Sequence, residues 1–91
     1  MAFPATTHDE VVSYAASQVV DDLARVSDMT EMLIEQCRVR ARDSAAEEST
    51  ATPSGPTYTA IVLGVDHTIA PLHGTGLLVS VVVTTELRPI L

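Results

Sequence analysis

Thr52-Pro53-Ser54-Gly55-Pro56-Thr57 divides this chain into two halves written in different residues. Before it, from Thr7 to Thr52, there is neither Gly nor Pro, and charges are frequent. After it come two β-branched, nearly uncharged stretches, Tyr58-Thr-Ala-Ile-Val-Leu-Gly-Val65 and Leu77-Leu-Val-Ser-Val-Val-Val-Thr-Thr-Glu-Leu87. Sequence free of helix breakers followed by sequence rich in strand formers predicts an α+β fold. The expected order is a long N-terminal helix or helix pair, a flexible acidic linker and a C-terminal β-hairpin. All of it belongs to one small domain over 1–91, with 1–44 helical, 45–57 the linker and 58–91 the hairpin.

In the first half, Thr7-His8-Asp9-Glu10 has capping-box spacing, with Thr7 and Glu10 able to satisfy each other's backbone N–H groups. Val12, Ala16, Val19, Leu23, Val26, Thr30, Leu33 and Cys37 then follow at alternating spacings of four and three, a heptad stripe. Asp9, Glu10, Asp21 and Asp22 lie toward the start and Arg38, Arg40 and Arg42 toward the end, as the helix dipole prefers. An unbroken helix from His8 to about Ser44 would be roughly 55 Å long at about 1.5 Å per residue. Asp28 and Glu31 offer a second start signal, so two helices meeting near Ser27 are the other arrangement. From Asp43 to Thr57 the residues are small, polar and acidic, the composition of a connector that gains little by ordering.

In the second half, one face of the later strand carries Leu77, Val79, Val81, Val83, Thr85 and Leu87. The other carries Leu78, Ser80, Val82, Thr84, Glu86 and Arg88. Pro71, Gly74 and Gly76 supply turns for a wide connection from Asp66 to Gly76. A lone hairpin is marginal in water, and the uncharged run from Leu77 to Val83 is adhesive if left unpaired. The chain has little else with which to cover it, since Phe3, Tyr14 and Tyr58 are its only aromatic residues. The sequence therefore predicts that hairpins of several protomers join in an intersubunit sheet, the competing arrangement being a hairpin folded back onto its own helix as a compact α+β monomer. The expected interface residues are Val12, Val19, Leu23, Val26, Leu33, Leu77, Val79, Val81 and Val83.

Composition bounds the function. Twelve acidic residues against five basic ones give a formal net charge of −7, which disfavours general nucleic-acid binding. One cysteine, Cys37, excludes an intrachain disulfide. The N-terminus lacks the basic and apolar regions of a signal peptide, and the apolar runs are too short to span a bilayer. No membrane partner and a cytoplasmic location, or incorporation into a viral particle, are the expectation.

Candidate chemistry is sparse. Asp66, His67 and His73 fall in the expected connection between strands, where two imidazoles and a carboxylate could hold a transition metal or move protons. Their spacing matches no established motif. His73-Gly74-Thr75-Gly76 precedes a strand and has no Lys, so it does not read as a nucleotide loop. Cys37 lies on the apolar stripe, a packing position, and Arg38 and Arg42 share a helix side that Arg40 does not. The residues point to a non-catalytic structural or assembly subunit without a cofactor. It would form a symmetric homo-oligomer or dock on a larger multi-subunit assembly, with a virion component among the candidates. Two other readings follow from the same residues: a small ligand- or metal-binding module around His67 and His73, and a regulator that binds a partner protein through the stripe from Val12 to Cys37.

Overall fold

The computed structural model describes residues 10–51, 55–74 and 76–90. Strand β1 (Glu10–Val20) leads through a 3₁₀ turn (Leu23–Arg25) into helix α1 (Val26–Ala51), followed by strands β2 (Thr57–Pro71) and β3 (Leu77–Ile90). The strands form one antiparallel sheet in the order β1-β3-β2, with β3 in the centre. The fold is α+β, as expected, but it holds three strands and a shorter, later helix. Among the described residues no helix is long and apolar enough to cross a membrane.

The first correction concerns residues 10–20, which form a strand where the heptad spacing predicts helix. Val11, Val12, Val19 and Val20 are β-branched, and Val12, Tyr14 and Ala16 repeat every two residues as readily as Val12, Ala16 and Val19 repeat every four and three. Tertiary pairing decides between the two periods. The long uncharged β3 has two sides to satisfy, and β1 takes one of them from Glu10 opposite Leu87 to Val20 opposite Leu77. Glu10 thus opens a strand, while Thr7, His8 and Asp9 of the expected capping box lie outside the described residues.

The second correction concerns both ends of the helix. The chain turns at Asp22, whose carboxylate accepts a hydrogen bond from the Ala24 N–H at 3.0 Å while its carbonyl accepts from the Arg25 N–H at 2.9 Å. Neither expected arrangement, one continuous helix or two helices meeting near Ser27, is found: a single α-helix begins at Val26, after a 3₁₀ turn capped by Asp22. At the far end α1 runs to Ala51, through the segment expected to be a connector. Ala45, Ala46, Glu47 and Glu48 are strong helix formers, and no Gly or Pro intervenes before Pro53. An acidic, small-residue composition is shared by linkers and by exposed helix.

The helix lays Val26, Leu33, Cys37, Ala41 and Ala45 on the sheet, and the small Ala41 and Ala45 let its backbone approach closely. Against it β3 presents Val79, Val81 and Val83, all fully buried, followed by Thr85. The buried Thr85 hydroxyl donates to the Val12 carbonyl at 3.1 Å, so the polar group is satisfied. This places part of the expected interface in the chain's own core. Val26, Leu33, Val79, Val81 and Val83 are sealed within one chain and offer no area to a second. The adhesive face of β3 is covered by the chain's own helix. Of the remaining interface candidates, Val12 and Leu77 are half-buried, whereas Val19 and Leu23 are exposed.

The connection between β2 and β3 is also tighter than the sequence suggests. β2 continues through Asp66 to Pro71, and the chain turns over Leu72–Gly76, closed by the Leu72 N–H donating to the Gly76 carbonyl at 3.1 Å. Gly74 and Gly76 have φ of 95° and 122°, a backbone region that side-chain-bearing residues rarely adopt, so glycine is required at both.

Candidate functional site

Among the described residues, one helix covers one face of the sheet and leaves the outer face and both edge strands, β1 and β2, uncovered. Successive residues of a strand point to opposite faces. On β1 the half-buried Val12, Tyr14 and Ala16 face the helix, while the exposed Val11, Ser13, Ala15, Ser17 and Val19 face outward. Register carries the outer face across β3, where Ser13 lies opposite Thr84, Ala15 opposite Val82 and Ser17 opposite Ser80. Two cross-strand hydroxyl pairs line it, Ser13 to Thr84 at 3.1 Å and Ser17 to Ser80 at 3.0 Å. Val11 at 58%, Val19 at 49% and Val82 at 38% exposure supply apolar area between them.

The edges differ. β2 carries a bulge between Val62 and Gly64, a charge at Asp66 and a terminal Pro71, all devices that discourage a further strand from pairing. β1 has no Gly, Pro or charge from Val11 to Val20 and pairs with β3 without a shift in register. Among the described residues, a side chain of α1 reaches this edge at Ala15. Arg40 Nη1 donates to the Ala15 carbonyl at 2.8 Å, and the guanidinium lies 5.4 Å from the centre of the Tyr14 ring. The helix thereby holds its cation against the middle of the strand.

A second concavity lies between the later turns of α1 and the first half of β2, a groove of about 660 Å³ lined by Arg38, Ala41, Arg42, Ala45, Tyr58 and Ala60 among others. Ser49 ties its two walls together: its hydroxyl donates to the Ala45 carbonyl at 2.9 Å and accepts from the Tyr58 N–H at 2.8 Å. Arg42 and Glu35 stand 3.6 Å apart on its rim, both more than half exposed, so the pair contributes little. As the sequence suggests, Arg38 and Arg42 share one side while Arg40 occupies another, the first two on the groove and the third on the β1 edge.

The structure does not bring Asp66, His67 and His73 together as a site. Asp66 and His67 are consecutive residues within β2, opposite Val82 and Val81, and therefore project from opposite faces; His73 belongs to the following turn. Among the described residues, no group of three His, Cys, Asp or Glu side chains is placed to hold a metal ion. Cys37 is fully buried in the core. The stripe from Val12 to Cys37 spans a strand, a turn and a helix, and its Leu33 and Cys37 are covered, so it does not form the single exposed helical face that the regulator reading requires. The open edge escaped the sequence reading because it follows from strand order, for which the only local signal is the uncharged run from Val11 to Val20.

No known protein family matches the chain, and neither does any curated protein or any solved structure.

Proposed function

We propose that this chain is a non-catalytic structural subunit that assembles with copies of itself. The observation that carries the reading is the contrast within one sheet: a face sealed by α1, and a bare face bordered by an uncharged, unbulged edge at β1. A long, flat, uncharged edge strand left in water is a template for pairing. Soluble proteins usually blunt such an edge, as this one does at β2. The apolar area at Val11, Val19 and Val82 adds to the surface that association would cover.

Sedimentation velocity over a wide concentration range tests the proposal. A mass that rises with concentration to a defined multiple of 9.7 kDa is expected. A 9.7 kDa species at every concentration would contradict it.

A further inference from the structure

We infer that β1 pairs edge to edge, antiparallel, with β1 of a second copy about a twofold axis at Ala15. The inference rests on the assembly reading and names its surface. In an antiparallel ladder, the N–H and C=O groups of alternate residues point to opposite sides of the strand. Arg40 reaches the Ala15 carbonyl from outside the sheet, which identifies Val11, Ser13, Ala15, Ser17 and Val19 as the residues whose backbone groups face away from β3. Those residues read Val-Ser-Ala-Ser-Val, the same in both directions.

A twofold at the centre of that palindrome sets Ala15 against the partner's Ala15, Ser13 against the partner's Ser17 and Val11 against the partner's Val19. Valine meets valine and hydroxyl meets hydroxyl, on the same outer face where Ser13 already meets Thr84 and Ser17 meets Ser80. Each outward residue exchanges both its backbone bonds, about ten in all. Moving the axis to Tyr14 or Ala16 sets valine against serine. An axis between two residues fails altogether, because it opposes outward-facing groups to groups already bonded to β3. The register is thus specified by the strand itself.

The net charge of −7 opposes self-association in general, but the stretch from Val11 to Val20 carries none. On pairing, the Ala15 carbonyl passes from Arg40 to the partner's backbone N–H, and because Arg40 sits at the residue on the axis, the two guanidiniums must swing out toward solvent. The flank is about 37 Å long at ~3.4 Å per residue and roughly 15 Å deep with its helix. It would bury roughly 1,100 Å² in total, just above the ~1,000 Å² that a specific interface needs. The guarded β2 edge limits growth, so the association closes as a dimer.

Cysteine crosslinking of the full chain tests the register, and Cys37 does not compete because it is fully buried. Hydrogen-bonded pairs hold Cα and Cβ atoms about 5.5 Å apart, wider than the ~3.5–4.5 Å between the Cβ atoms of a disulfide, so a short bis-maleimide is used to bridge the two thiols. With that reagent Ala15→Cys is expected to form a covalent dimer. Val11→Cys alone is not, but mixed with Val19→Cys it is. In parallel, Ala15→Lys sets two like charges face to face and should weaken association at least tenfold, while Thr68→Lys on β2 leaves it unchanged, with thermal melts confirming that both fold. If the native chain associates and Ala15→Cys yields no covalent dimer, the edge inference falls and the assembly reading stands. A native chain that stays monomeric at every concentration sinks both.

Discussion

The two edge strands of this sheet belong to one domain and are built to opposite rules. β2 is long but interrupted, with its bulge between Val62 and Gly64, Asp66 in its second half and Pro71 at its end. β1 is shorter and regular, with the Arg40 guanidinium resting on its central carbonyl. The difference teaches that sheet edges are controlled separately. One is spoiled by its own backbone and charge, whereas the other is met by a side chain reaching over from the helix.

Four perturbations break or sharpen that contrast. The largest effect is expected from Leu33→Ala, which removes a side chain 2% exposed from the platform under both edges. A loss of about 3 kcal/mol is expected, lowering the melting temperature by more than 10 °C and loosening both edges together. Next, deleting Leu63 and replacing Asp66 with Val would regularise β2 and remove its charge. With two open edges, growth no longer closes, and light scattering should report species that enlarge without limit. If this variant has the same mass as the native chain, the bulge and Asp66 are not what guards β2.

A smaller and more local effect is expected from Ser49→Ala. It deprives the Tyr58 N–H of its partner and should cost about 1 kcal/mol in denaturant titrations. Faster hydrogen exchange should be confined to the start of β2, with β1 unaffected. Glu35→Gln closes the series. Its partner Arg42 lies on an exposed rim, so a change of no more than about 0.5 kcal/mol is expected, and none in association. A loss above 1 kcal/mol would mean that this rim pair matters more than its exposure allows.

Much of this architecture is legible in the residues. The β-branched runs mark β2 and β3, the alternation in β3 separates the face that α1 covers, and Gly74 and Gly76 mark a turn that needs positive φ. The stripe from Val26 through Leu33 to Cys37 is the buried line of the helix. What local pattern could not decide is β1, because Val12, Tyr14 and Ala16 fit a period of two while Val12, Ala16 and Val19 fit a heptad. The winning term is non-local, the demand of β3 for a second neighbour. The extension of α1 to Ala51 was hidden by a composition that linkers and solvent-exposed helix share. Asp66, His67 and His73 looked like neighbours because they are close along the chain, yet a strand sends consecutive side chains to opposite faces. The edge appears only once strand order is known, after which the palindrome from Val11 to Val19 can be read directly.

Residue-resolved amide hydrogen exchange on β1 tests the central claim most directly. The N–H groups of Val11, Ser13, Ala15, Ser17 and Val19 face away from β3, so in the isolated chain they exchange freely while those of Val12, Tyr14 and Ala16 are held. Pairing through this edge predicts that the first set becomes protected at high protein concentration and loses that protection on dilution. Free exchange of those amides in a sample whose measured mass is already above that of one chain would contradict it.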